Sequence, residues 1–217
     1  MQHPLRVYDD GLLGGERRGS ARGVAVRMSD GAFGPLALER YLGPADATDE
    51  ALLSSVRGPV LDVGCGPGRH LHVLARRGVF GLGVDLSSVA VGLARDRGAH
   101  AIVGSIFDEL PGAGRWRTAL LLDGNIGIGG APARLLTRLG ALLRPGGDVL
   151  VELDPPSAET ATLTARLETV REVSDWFRWA RVSFDDIEML AGPAGYEVVS
   201  RWQLGNRWFA RVSLQSD

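Results

Sequence analysis

The sequence predicts an α/β fold, a mostly parallel sheet sandwiched between helices, preceded by a small N-terminal lid or hairpin. Three observations carry this expectation. From residue 58 onward, short apolar runs alternate with helical patterns, the mark of βαβ units. The first run ends in a glycine-rich turn that opens a helix, Asp62-Val63-Gly64-Cys65-Gly66-Pro67-Gly68. The second run ends on an acid, Asp85, about 20 residues further on. A chain of 217 residues suits one domain with a substantial core. It divides into an N-terminal lid or hairpin segment, 1–57, and a main domain, 58–217.

The elements follow in order. Gly23 to Arg27, the turn Ser29-Asp30-Gly31 and an apolar stretch to Leu38 predict a β-hairpin. Thr48 is expected to cap a short helix reaching Ser55. Pro59 to Val63 reads as a buried first strand. Arg69 to Arg77 reads as a helix with Leu71, Leu74 and Ala75 inward, stopped near Gly78. Phe80 to Asp85 is the second strand, and Ser87 or Ser88 caps a helix reaching Arg97 before Gly98. Ala101 to Gly104 and Thr118 to Asp123 are the third and fourth strands. Pro132 suits the first turn of a helix whose stripe is Leu135, Leu136, Leu139, Leu142 and Leu143. Pro145-Gly146-Gly147 ends it, and Asp148 to Leu153 is the fifth strand. Ser183 is expected to cap a helix with Ile187, Leu190 and Ala194 inward. Tyr196 to Val199 and Trp208 to Val212 close the chain as strands. Residues 160–182 fit two readings: Leu163, Ala165 and Leu167 alternate like a strand, whereas Leu163 and Leu167 alone also fit a helix.

Composition excludes several chemistries. All 24 basic residues are arginine, because the chain has no lysine. A Walker P-loop, a pyridoxal Schiff base and a Tyr-x-x-x-Lys dehydrogenase pair all require lysine. A net charge of -2 argues against a surface that tracks nucleic-acid phosphates. One cysteine, Cys65, cannot form an intramolecular disulfide and suits a reducing, cytoplasmic setting. No apolar run approaches the roughly 18 residues of a membrane span, and no signal-peptide core opens the chain. His70 and His72 lie far apart around a helix, and the scattered histidines with one cysteine offer no metal set.

The chemistry concentrates on the glycine turn. Glycines there permit positive φ and close approach to a ligand, and the following helix start offers N–H groups to an anionic group. A carboxylate at the end of the neighbouring strand suits a ribose diol. The spacing Asp-x-Gly-x-Gly-x-Gly differs from the dinucleotide Gly-x-Gly-x-x-Gly pattern.

Asp62 to His70, followed by Gly83-Val84-Asp85-Leu86-Ser87, resembles motifs I and II of class I methyltransferases, which use S-adenosyl-L-methionine. Leu143 to Leu150 resembles their helix-to-fifth-strand signature, and Phe184 to Val199 their last helix and sixth strand. The resemblance implies a Rossmann-like three-layer sandwich whose seven-stranded sheet ends in an antiparallel strand. It implies that Gly64, Cys65, Gly66 and Gly68 lie under the methionine and ribose. By the same resemblance, Asp62 orients the loop and helps hold the ammonium, Asp85 binds the ribose hydroxyls, and Leu86 meets the adenine. Ser105 and Ile106 fall where the family places an adenine contact, although the acid usual there is replaced by Ser105.

Methyl transfer needs alignment and exclusion of water more than it needs a base. The loop Asp123 to Gly130 follows the fourth strand at the ligand-binding edge of such sheets. Asp123 and Asn125 are therefore the first catalytic candidates, with His70 a third; the blander readings are a solvated turn and a cofactor-lining ring. Trp176, Trp179 and Arg181 are candidates for binding a small-molecule acceptor through O, N or C, against the plainer reading that they cover the core. Cys65 reads as a small residue packed beneath the cofactor, and Asp154-Pro155-Pro156 as a turn. The sequence thus predicts a methyltransferase, monomer or homodimer, with no nucleic-acid, membrane or metal partner. The alternative is a cofactor-binding regulatory or partner protein that lacks an acceptor cavity.

Overall fold

The computed structural model describes residues 2–18 and 23–215. Helix α1 (Pro4–Arg18) leads into a hairpin, β1 (Ala25–Met28) and β2 (Phe33–Pro35), then α2 (Leu38–Leu42) and α3 (Ala47–Leu53). The alternating region runs β3 (Val60–Val63), α4 (Arg69–Arg76), β4 (Gly81–Asp85), α5 (Ser88–Asp96), β5 (Ala101–Val103), β6 (Trp116–Leu121), α6 (Pro132–Gly140) and β7 (Leu143–Leu153). An excursion, β8 (Ala161–Glu168) and β9 (Phe177–Arg181), precedes α7 (Ile187–Ala191), β10 (Tyr196–Leu204) and β11 (Arg207–Leu214).

The main sheet has seven strands in the order β10-β11-β7-β6-β3-β4-β5. β3, β4, β5, β6 and β7 pair in parallel, whereas β11 runs antiparallel to both β7 and β10. The central strand β3 is buried at every position, because helices cover both faces. One cluster packs α6 and α7 on the sheet through Leu135, Leu139, Ile187 and Tyr196; another packs α3 and α4 through Leu52, Leu53, Leu71 and Leu74. The strand order reverses between β3 and β6, which opens a crevice beyond their carboxyl ends. No described helix is long and apolar enough to cross a membrane.

Several local expectations are corrected. α3 is capped by Asp46, which accepts from the Asp49 amide in a reciprocal capping box, not by Thr48. On α4 the inward residues are Leu71, Val73 and Leu74, while Ala75 is exposed. Of the two serines considered, Ser87 caps α5 by accepting from the Ala90 amide. α6 ends at Gly140, and the Pro145–Gly147 turn is absorbed as an irregularity in β7, where its pairing with β6 shifts register. Ser183 does not cap α7, which starts at Ile187 after a turn. β10 and β11 extend to meet at Gly205-Asn206, with Gly205 at φ 63°.

Helix α1 was not foreseen, since Gly11 and Gly14 lower its intrinsic propensity. Tertiary packing explains it: a Cβ at Gly11 would lie 2.7 Å from both Leu38 and Val24, so glycine lets the helix press onto the hairpin. Val7 and Leu12 are buried in a cluster with Leu38, Leu93 and Leu167. The ambiguity over residues 160–182 resolves as strands. β8 pairs with β1, making a second, antiparallel sheet of order β2-β1-β8-β9 that draws strands from both ends of the chain.

Candidate active site

The crevice is a cavity of about 900 Å³, bounded by the carboxyl edge of the main sheet, by α1 and by the second sheet. That volume lies near the top of the range of small-molecule sites, roughly 300–1,000 Å³. Gly64, Cys65, Gly66, Asp85, Leu86, Ser105, Ile106, His70, Asp123 and Asn125 all line it.

The glycine turn has the conformation that its residues permit. Gly64, Gly66 and Gly68 sit at φ 68°, 53° and 82°. Gly68 faces α5, where a Cβ would lie 2.9 Å from Ala94, so it serves helix packing and is not part of the cavity wall. The loop's amides are committed internally. Gly64 and Cys65 donate to the Val84 carbonyl, Gly68 to that of Cys65, and Gly66 to Asp85 Oδ2 at 2.9 Å. The loop itself therefore meets a ligand with glycine surface and carbonyl oxygens, and the N–H groups expected from the sequence are those of the helix start that follows it. Cys65 is buried against Gly83, and burial pushes its thiol well above the ordinary range.

Asp85 accepts from Gly66 and, through Oδ1, from the Ser87 amide at 2.9 Å. Burial raises its pKa, and those two amides oppose the rise. Each oxygen keeps unused acceptor capacity. Leu86 beside it is 55% exposed, an apolar ledge at the cavity wall. Ser105 is partly occupied, since its hydroxyl accepts from the Phe107 amide.

Asp62 is 1% exposed and lies beneath the loop, outside the cavity wall. Its Oδ2 has no hydrogen-bond partner among the described residues, and His70 Nδ1 is 3.9 Å away. Burial pushes its pKa up to about 6, partly offset by the His70 charge. Asn125 fastens the loop from the other side: Nδ2 donates to the Val63 and Gly64 carbonyls at 2.8 and 3.0 Å. Asn125→Asp would set a carboxylate against those two carbonyls. We expect a stability loss of about 1–3 kcal/mol, read as a lower Tm, with Asn125→Ala less damaging.

Asp123 stands at φ 56°, a left-handed position that aspartate tolerates. Its carboxylate accepts from Arg69 at 2.7 Å, and its amide donates to Glu152. It belongs to a buried network absent from the sequence reading. Arg69 and Arg207 meet the fully buried Asp49 at 3.3 and 2.7 Å, Arg40 approaches Asp49 and Asp123 at 3.4 and 3.5 Å, and Arg207 grips Glu152 at 2.6 Å. Three arginines thus face three carboxylates. Burial raises the Asp49 pKa, but His70, Arg207 and Arg69 more than reverse it and hold it well below the carboxylate range. Burial lowers the Arg207 pKa, and Glu152 and Asp49 overcome that effect to raise it. His70 Nε2 lies 2.8 Å from Arg69 within this network.

Sequence reasoning also missed Tyr8 and Tyr41, which line the cavity from α1 and α2. The Tyr8 hydroxyl faces Gly66, and burial with the Asp85 charge raises its pKa; burial lifts Tyr41 to about 12. Of the acceptor-binding candidates, Trp179 lines the cavity and packs edge-to-face with Phe177, centroids 6.1 Å apart. Trp176 sits at the rim under Arg166, 4.8 Å from its ring. Arg181 is not brought to the cavity wall; it pairs with Asp30.

Residues 37–201 match a family described as the methyltransferase domain. A trans-aconitate 2-methyltransferase from Paracidovorax citrulli is 30% identical over 129 residues, 58% of this chain. The match spans 48% of that relative, about half its length. Among solved structures, an S-adenosylmethionine-dependent methyltransferase from Bacteroides fragilis, in complex with S-adenosyl-L-homocysteine, superposes with a TM-score of 0.80 at 21% identity. That alignment covers 99% of this chain and 95% of the other. A 1,6-didemethyltoxoflavin-N1-methyltransferase from Burkholderia thailandensis, with substrate and S-adenosylhomocysteine bound, has a TM-score of 0.58 at 19% identity, covering 78% of this chain and 77% of the other. At these identities the structural likeness speaks to the fold, and the family match speaks to the sequence over most of its length. The chain that carries this glycine turn, this acid one strand over and this switch-point crevice belongs to the methyltransferase domain family, in its class I, S-adenosylmethionine-dependent fold.

Proposed function

We propose that this protein transfers a methyl group from S-adenosyl-L-methionine to a small-molecule acceptor. The observation that carries the reading is Asp85, whose carboxylate is tied to the Gly66 amide and still has acceptor capacity at the wall of the cavity. The residues present fit the donor. Asp85 suits a ribose diol, Leu86 an adenine face, and the orphaned Asp62 Oδ2 a nearby ammonium. When bound, S-adenosylmethionine supplies an electrophilic methyl on a sulfonium. The chain's own residues orient and shield: Asn125 holds the loop, while Tyr8, α1 and the second sheet cover the crevice and keep water out. The segment 1–57, together with the 157–182 excursion, acts as the lid, and the setting is cytoplasmic.

A purely regulatory binder would need no room beyond the donor. Here the cavity continues past Gly66 under the second sheet, which favours catalysis. The net charge of -2 and the named small-molecule substrates of the relatives favour a small acceptor over nucleic acid. A thermal-shift comparison tests the cofactor: S-adenosylmethionine and S-adenosylhomocysteine are expected to raise Tm, and NAD is not. No shift with either sulfur compound overturns the reading.

Asp62 gives a pH signature. Its folded pKa of about 6 lies above the unfolded value of about 3.9, so the stability it contributes is fully present below the latter and lost as pH rises through the former. Asp62→Asn removes that loss. In the ligand-free protein we expect the variant to gain on the order of 2–3 kcal/mol over wild type at pH 8 and little at pH 4, since each pKa unit corresponds to about 1.4 kcal/mol. Denaturant midpoints across that range check it, and a difference independent of pH would refute the assignment.

A further inference from the structure

We infer that the methyl acceptor is a neutral, ring-bearing apolar molecule, not a polycarboxylate, and that Trp179 and Phe177 select it. The inference rests on the methyltransferase reading above. It comes from the register of the second sheet. Val26 lies opposite Leu167, Met28 opposite Ala165, and Ala165 opposite Phe177, with Trp179 two residues further along β9. Residues paired across strands share a face, so these six form one apolar face, and all six line the cavity.

The charges take the other parity. Arg27 lies opposite Arg166, both bond to Glu168, and Arg178 lies opposite Thr164. Outside the donor half, the carboxylates and arginines of the wall among the described residues are Asp175 and Arg178, both exposed at the rim like His3. Deeper in, Arg40, Arg69 and Arg207 are already matched by Asp49, Asp123 and Glu152. An acceptor carrying several carboxylates would therefore shed its water without meeting an uncompensated buried cation among the described residues, which is costly.

The turn after β6 adjoins this face. It contributes Ile128 and Gly129 to the wall, and a Cβ at Gly127 would lie 2.7 Å from the Trp179 indole, so the turn packs directly against the indole and fixes its orientation. An aromatic pair held within an apolar cavity face suits a planar ring, which buries large apolar area at low entropic cost. This chemistry differs from that of the 30%-identical relative, whose named substrate is trans-aconitate.

The test uses the whole chain saturated with S-adenosylhomocysteine, whose own binding is measured first by calorimetry. 2-Naphthol and 8-hydroxyquinoline are then titrated beside trans-aconitate and citrate. Both ring compounds are expected to bind at least tenfold more tightly than either acid. Trp179→Ala should weaken the ring compounds at least tenfold while changing S-adenosylhomocysteine affinity less than threefold, and Trp179→Phe should recover most of the loss. Phe177→Ala gives the same readout if Trp179→Ala does not fold. Acids binding as well as the rings, or neither ring binding to cofactor-loaded protein, overturns the inference and leaves the cofactor reading standing. Absence of S-adenosylhomocysteine binding overturns both.

Discussion

Asp85→Ala is expected to weaken S-adenosylhomocysteine binding by about 1–3 kcal/mol, roughly fivefold to 150-fold, because hydrogen bonds to a charged acceptor are lost in a partly enclosed site. The structure adds a second route to the same loss. The carboxylate also accepts from the Gly66 and Ser87 amides, so alanine strands two donors and loosens the turn. The routes separate with a pair of ligands. If Asp85 grips the ribose hydroxyls directly, the variant should discriminate poorly between adenosine and 2′,3′-dideoxyadenosine, whereas wild type should prefer adenosine strongly. If only loop geometry is affected, both ligands weaken together. Calorimetric titration of the two proteins with the two ligands forms a double-mutant cycle, and a coupling near zero would remove Asp85 from the ribose contact.

The parts of this site legible in the sequence are those whose physics is local. A glycine turn between a buried strand and a helix announces itself through conformational need, and Asp85 through its position at the end of the next strand. Ser87 announces a helix start for the same reason. The 160–182 region was ambiguous because Leu163, Ala165 and Leu167 satisfy two periods, and only pairing with β1 decides between them. Helix α1 and Tyr8 were hidden because Gly11, which reads as a helix breaker, is there to admit Leu38 and Val24. Thr48 outshone Asp46 as a cap, although the Asp46 and Asp49 spacing that makes the capping box was visible. Arg181 looked like a ligand contact from its neighbours Trp176 and Trp179, yet its tie to Asp30 spans 151 residues and leaves no trace in local pattern.

The same reasoning explains why the largest stability effect should come from a residue that no motif marks. Arg207 is 158 residues from Asp49 in sequence and 2.7 Å from it in space. Arg207→Met removes a guanidinium from between Asp49, which is fully buried, and Glu152, which in turn holds the Asp123 amide. Breaking one side of a buried ionic network leaves uncompensated charge, at a cost of about 3–5 kcal/mol. For a chain of this size, about 2–4 °C per kcal/mol places the Tm drop on the order of 10 °C. Arg76→Met, which breaks the exposed pair with Glu50, is the control and should cost less than about 1 kcal/mol. The pH dependence carries a sign. Asp49 is depressed in the folded protein, so its contribution is present above the unfolded carboxylate value of about 3.9 and lost only as pH falls well below it. Without Arg207 the Asp49 pKa rises toward the ordinary range or beyond, and the acid transition should move to higher pH. Circular-dichroism melts of wild type and both variants between about pH 2 and pH 8 check all three statements. Equal Tm losses at Arg207 and Arg76 would mean that the network beneath the Asp123 turn contributes no more than a surface pair, and that the turn is positioned by backbone geometry alone.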